Sequence, residues 1–324
     1  MNYLKVVQVL VRTPLCSNFN ACPQEMDRAD RQPTLVSEER VAHIKKKIET
    51  IKIHIQRLNE IKGKLSQLPD GQLCLTDPDA RCMATRGRQT PTVAYNVQTA
   101  VDAKHHLIVA HEVTNVGNDR TALTPMAEKA REAMGTKELT VIADRGYFSG
   151  EQILRCEQRG MTPFVPKSIT SGYRAKGLFD KRDFEYIEKD NEFRCPAGER
   201  AVHRFTTVEH GQTIHKYWAS ACPRCPLKPR CTTGEYRRVH RWEHEAVIDR
   251  MQRRLDQHPE VSKLRRQTAE HPFRTLKAWM GATHFLPRTF PRVSTEMSLH
   301  VLAYSMKRVI QMIGAQPFMA AMKS

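Results

Sequence analysis

The chain has 324 residues, with 52 Lys+Arg against 35 Asp+Glu and a formal charge of +17. That length is ample for one large domain with an insertion, or for two domains. A cationic surplus of this size favours a polyanionic partner, because neutralising phosphates releases counterions; a merely basic soluble protein is the plainer alternative. No apolar run approaches the ~18 residues of a membrane span, and the opening segment has no long signal-peptide core, so a cytoplasmic protein without membrane contact is expected.

Residues 1–36 carry no periodicity and read as a poorly structured segment. From Ser37 the pattern changes. Val41, Ile44, Ile48, Ile51, Ile55, Leu58 and Leu65 follow steps of three and four, with Lys62 in the one interrupted position. This predicts a basic amphipathic helix over 37–70, either a core-packing helix or a short coiled-coil seam. Residues 75–170 then alternate strands and helices. "VAYNVQTAVD" and "HHLIVAHEV" predict a hairpin with Asp102 at the end of its first strand. A helix is predicted from Asp119, as N-cap, to Met134, with Gly135 stopping it. A buried strand from Leu139 to Ala143 runs straight into Asp144; a helix near 149–159 and the short strand "TPFVP" follow. The order is that of an α/β domain.

Between 171 and 245 the chain turns to Lys, Arg, aromatic residues and cysteines, which predicts an inserted subdomain. Cys195, Cys222, Cys225 and Cys231 suit a tetrahedral four-thiolate site. Structural Zn²⁺ is the default for such a site and an iron–sulfur cluster the alternative, while incidental free cysteines would need neither. Arg237, Arg238, Arg241 and Trp242 nearby suit phosphate contact and base stacking, or belong to a solvated basic loop. Helical pattern returns over 246–314, where Met297, Val301, Tyr304 and Ile310 predict a core-facing stripe.

Asp102, Asp144 and Glu270 are the carboxylates that matter most. Either aspartate alone is as well explained by capping a turn. Together, two carboxylates at strand ends and one on a late helix suit a pair of Mg²⁺ or Mn²⁺ ions that activate a nucleophile and stabilise a leaving oxygen. Arg266 and Lys277 fall within about 60° of Glu270 on an ideal helix. Pro272 opposes that arithmetic, since it lacks an N–H and kinks or starts a helix.

"YNVQTAVD", "VIADRGYFS" and "AEHPFRTLKAWMG" resemble the three catalytic blocks of DDE transposases of bacterial insertion sequences. The likeness is to the branch with a Tyr-Arg-Glu-Lys signature, and within it to the insertion sequence 1182 group. "TDPDARCM" and "EMSLHVLAYSMKRVI" extend it over about 75–313. Arg266, Glu270 and Lys277 sit at the signature spacing, whereas Lys263 stands at the Tyr position and Arg274 where a Gly is common.

The resemblance implies an RNase H-like catalytic core, interrupted by the cysteine-rich subdomain and preceded by the N-terminal helix. On the residues alone Arg145 and Tyr147, beside Asp144, either position DNA or simply pack; the resemblance implies Asp102, Asp144 and Glu270 as ligands of two Mg²⁺ ions, with Arg266 and Lys277 near DNA phosphates. It implies metal-dependent cleavage and strand transfer on transposon ends and target DNA, by a homodimer or higher assembly at the bacterial nucleoid. Relatives carry a helical DNA-binding region ahead of the core, and none is expected before Ser37, so the chain reads as a truncated copy. A non-catalytic DNA-binding remnant and a stand-alone nuclease of the same fold are the alternatives.

Overall fold

A computed structural model describes residues 38–68, 70–83, 92–168 and 172–323; the expectation for residues 1–36 lies outside them. Helix α1 (Glu38–Gln67) matches the predicted amphipathic helix. Its stripe is not a core face: Val41, Ile44, Ile48, Ile51, Ile55, Leu58 and Leu65 are all exposed.

The chain divides into two compact units, Met1–Asn96 with Val113–Gly117 and Phe285–Thr295, and Val97–Glu112 with Asn118–His284 and Glu296–Ser324. In the first, β1 (Arg81–Met83) and β2 (Thr92–Ala94) form a short antiparallel ladder. The "TDPDARCM" block has a structural task there. Buried Asp77 accepts hydrogen bonds from Tyr95 Oη at 3.0 and 2.9 Å and from Thr289 N at 3.3 Å. Asp79 accepts from Phe290 N at 2.9 Å, satisfying one of the free donors that open the helix beginning at Phe290.

Strands β3 (Asn96–Val101) and β4 (Ile108–Thr114), most of whose residues belong to the second unit, pair as the predicted hairpin. Helix α2 (Leu123–Met134) follows and ends on Gly135 in the left-handed region at φ 60°. It starts later than predicted: Ala122 stands at the N-cap, and Asp119 is drawn away by a buried glutamine described below. Strand β5 (Leu139–Ile142), α3 (Gly150–Gln158) and β6 (Met161–Phe164) complete a βαβ unit whose strands pair in parallel. Among the described residues β3–β4 and β5–β6 are separate two-stranded ladders.

The inserted segment contains a five-stranded antiparallel meander of β7 (Glu185–Ile187), β8 (Glu192–Arg194), β9 (Arg200–Glu209), β10 (Gln212–Trp218) and β11 (Val239–Trp242). His210 and Gly211, both at positive φ, make the two-residue turn between β9 and β10 that suits a hairpin's twist. Helix α4 (Glu245–Gln257) returns the chain to the α/β part. Leu123, Ala127, Ile153, Cys156, Met161, Val165, Trp242, Val247, Ile248 and Met251 form the main core, so α2, α3, α4, β6 and the end of β11 share one apolar interior.

Helix α5 (Glu260–Arg274) runs through Pro272, which has no N–H to give the helical ladder, and gives way to a π turn at Thr275–Trp279. Helices α6 (Phe290–Ile313) and α7 (Ala315–Ala321) close the chain. On α6, Met297, Val301 and Tyr304 are buried as predicted, but Ile310 is exposed, because six residues beyond Tyr304 is about 240° around the helix. No helix of the described residues is long and apolar enough to cross a membrane.

Candidate active site

The separation of the two ladders leaves a cleft of about 390 Å³ in the second unit. Its walls are apolar side chains of β3, α2 and β5, and its polar lining includes Asp102, Asp144, Arg265 and Thr268. Both predicted aspartates therefore face one space, each held at the C-terminal end of its strand.

Asp102 closes the β3–β4 turn. Its carboxylate accepts from His105 N at 2.6 Å and Lys104 N at 3.3 Å, and His105 Nδ1 lies 3.0 Å from Oδ2. Burial works against its charge, but the two N–H groups and the imidazole outweigh burial and hold the carboxyl below the usual range. His105 is a partner that the sequence reading did not single out; its i, i+3 spacing from Asp102 across a tight turn is the available signal. Helix α6 secures the turn from behind: Arg308 Nε donates to His105 O at 2.7 Å and Tyr304 Oη to His106 O at 2.6 Å.

The depressed value has a pH consequence. A carboxylate whose folded pKa is lowered contributes stability above its unfolded value and loses it as pH falls through the folded value. The Tm difference between the parent and Asp102→Asn, present at pH 6, should therefore shrink below about pH 4. A difference that stayed constant to pH 3 would mean that the carboxylate's charge is not what holds the turn.

Asp144 follows β5 and caps a 3₁₀ turn, Arg145–Tyr147, by accepting from Arg145 N at 2.7 Å. Arg265 Nη1 lies 3.4 Å from its Oδ1. The cation facing this carboxylate is thus Arg265; the predicted Arg266, one residue and about 100° further around α5, is exposed and does not line the cleft. Tyr147 is partly buried and donates to Gln98 Oε1, while Gln98 Nε2 donates to Asp119 Oδ1 at 2.7 Å. Burial pushes the Tyr147 hydroxyl pKa upward, with Asp119 and Asp144 adding to it, so the phenol stays a donor. Asp119 was read as a helix cap; its second oxygen lies where a Cβ on Gly146 would come within 3.3 Å, which ties it to the Asp144 turn.

Glu270 is exposed and does not line the cleft. It is two residues, about 200°, beyond Thr268, which does line it. Lys277 is exposed on the π turn, where the α-helical phase that placed it beside Glu270 no longer applies. Among the described residues no group of three or more His, Cys, Asp and Glu is set to hold a metal ion. The structure brings two of the three predicted carboxylates to one cleft and leaves the third outside it.

Over residues 70–306 the sequence matches the family described as Transposase DDE domain, a stretch that includes the cleft and all three carboxylates. The chain belongs to that family. No curated protein and no solved structure matches it. DDE transposases generally use divalent metals and act on DNA, and the mixed α/β architecture of this transposase is consistent with the family.

Three of the four DNA contacts expected in the insert are instead packed inside the transposase. Arg237, Arg241 and Trp242 are 8%, 9% and 8% exposed. Arg241 lies over the Tyr186 ring at 3.7 Å and pairs with Asp249 at 2.9 Å. Trp242 belongs to the main core. Alternation along β11 and its junction with α4 turn these side chains inward, which a basic-aromatic run does not reveal. Arg238 is exposed over Trp218, and Arg145 is exposed beside Asp144.

Proposed function

We propose that the chain catalyses metal-dependent DNA cleavage and strand transfer during transposition of an insertion sequence. The observation that carries this reading is the convergence of Asp102 and Asp144, from the ends of two strands, on one cleft that also presents Arg265. Their carboxylates are the hard oxygen donors that Mg²⁺ or Mn²⁺ prefers. When bound, such ions lower the pKa of a nucleophilic water or hydroxyl and stabilise the leaving oxygen.

The chain's own side chains supply the rest. Asp102 is kept ionised by the turn around it, and Asp144 is oriented by its own cap. Arg265 balances charge at Asp144 and is placed to meet a phosphate. Glu270 joins the two aspartates through movement of α5, whose π turn next to Pro272 is the natural place for it to flex. In strand transfer a freed 3′-hydroxyl attacks a phosphodiester of the target: one P–O bond forms, another breaks, and the hydroxyl proton leaves as the new bond forms.

The position of Glu270, exposed and outside the cleft lining, favours a second reading, a non-catalytic DNA-binding chain that competes with an intact transposase. Mn²⁺ binding to the full chain, compared with Asp102→Asn and Asp144→Asn, separates the two. Binding weakened by both substitutions supports the catalytic reading. Binding no stronger than to the denatured chain, or unchanged by either substitution, would overturn it and leave the DNA-binding reading.

A further inference from the structure

Outside the cleft, the strongest concentration of reactive side chains is in the insert. Cys195 lies in a turn closed by Gly198 N to Cys195 O at 2.8 Å and Cys195 N to Glu199 O at 2.9 Å, with Gly198 at φ 83°. Cys222 and Cys225 bracket a 3₁₀ turn, and Cys231 ends the next one. All four are free thiols and all four line one cavity of about 20 Å³. Such a space is roughly that of one water-sized sphere, enough for a single ion and too small for a multi-iron cluster.

Two cationic side chains line the same cavity, Arg237 and Lys228, and no carboxylate does. Arg237 is 8% exposed and is packed against the rings of Tyr173 and Phe184 at 4.1 and 5.5 Å. Its Nη2 donates to Phe179 O at 3.2 Å, but its Nε is buried with no hydrogen-bond partner. A buried guanidinium with an unmet donor costs free energy unless an anion faces it. The thiols are the groups in this cavity able to become anions.

We infer that Cys195, Cys222, Cys225 and Cys231 bind one structural Zn²⁺, with Arg237 as a positioning residue that neutralises and orients the four-thiolate complex. Four thiols and Zn²⁺ give a complex of charge −2 and release four protons; Arg237 and Lys228 offset that charge. Among the described residues the four thiols are not already set as a metal-holding group, so binding requires them to rearrange. The site is closed, with no position for substrate, and it fastens the turns after β8 and β10 to the small core of Phe184, Phe193, Tyr217 and Val239.

The test is the metal content of the full chain by elemental analysis, followed by Co²⁺ substitution. One zinc per chain and a tetrahedral cobalt–thiolate spectrum are expected. Arg237→Gln should weaken zinc affinity by about 10–100-fold in a chelator competition, and Arg237→Lys should restore part of it. Cys225→Ser should lose the thiolate charge-transfer band; should that variant not fold, the parent's zinc content and the Arg237 pair still decide. A folded parent whose four thiols react freely and hold less than one zinc per two chains would overturn the proposal. So would iron in place of zinc, or equal zinc affinity in the parent and Arg237→Gln.

Discussion

Replacing Trp242 by alanine is expected to lower the stability of the protein by about 3–5 kcal/mol. The indole lies in the main core beside Ile153, Val247, Ile248 and Met251, where β11 passes into α4. Its surroundings are close-packed: a Cβ on Gly150 would come within 2.9 Å of the indole Cζ3. Removing the ring leaves a cavity that α3 and α4 cannot readily fill, since each also packs on α2 or β6. In urea the midpoint should fall with the slope unchanged. The DNA affinity of the folded variant, at fixed salt, should stay within about twofold of the parent. A stability loss under about 1 kcal/mol with a tenfold loss of DNA affinity would instead make Trp242 a stacking residue.

For Asp144→Asn the expectation is the reverse, an intact fold with lost chemistry. Asparagine caps a turn about as well as aspartate, so the bond from Arg145 N survives and stability should change by less than about 1 kcal/mol. Cleavage of transposon-end DNA should fall on the order of 10³-fold or more, because the amide oxygen is a poor ligand for a hard divalent cation. That corresponds to about 4 kcal/mol of lost transition-state stabilisation. Single-turnover cleavage at saturating DNA measures it. Activity within tenfold of the parent would reduce Asp144 to the turn cap that its hydrogen bond already makes it.

Local pattern was enough for much of what is described. The 3,4 spacing from Val41 to Leu65 predicted α1, Gly135 marked the end of α2, and the β-branched runs placed β3, β4 and β5 with Asp102 and Asp144 at strand ends. These are features of backbone conformation and of which residues follow one another, and a sequence carries them directly. The four cysteines were also legible as a set, although only the folded chain shows them lining one cavity.

Direction was the part that pattern could not supply. Arg265 faces Asp144 where Arg266 was expected, because one residue turns a helix by about 100° and nothing local says which face meets the cleft. Glu270 kept its spacing from Arg266 but lies off the cleft, and Pro272 with the π turn removes Lys277 from the same phase. Arg237, Arg241 and Trp242 read as a nucleic-acid surface until β11 and α4 turned them inward. The part-buried pairing of Gln98 with Asp119, twenty-one residues apart, engages the carboxylate that was expected to cap α2. By itself the sequence determined the elements, the strand-end carboxylates and the cysteine set, since each depends on neighbours along the chain. Only the tertiary structure decided which side of each element is buried, since that depends on what packs against it.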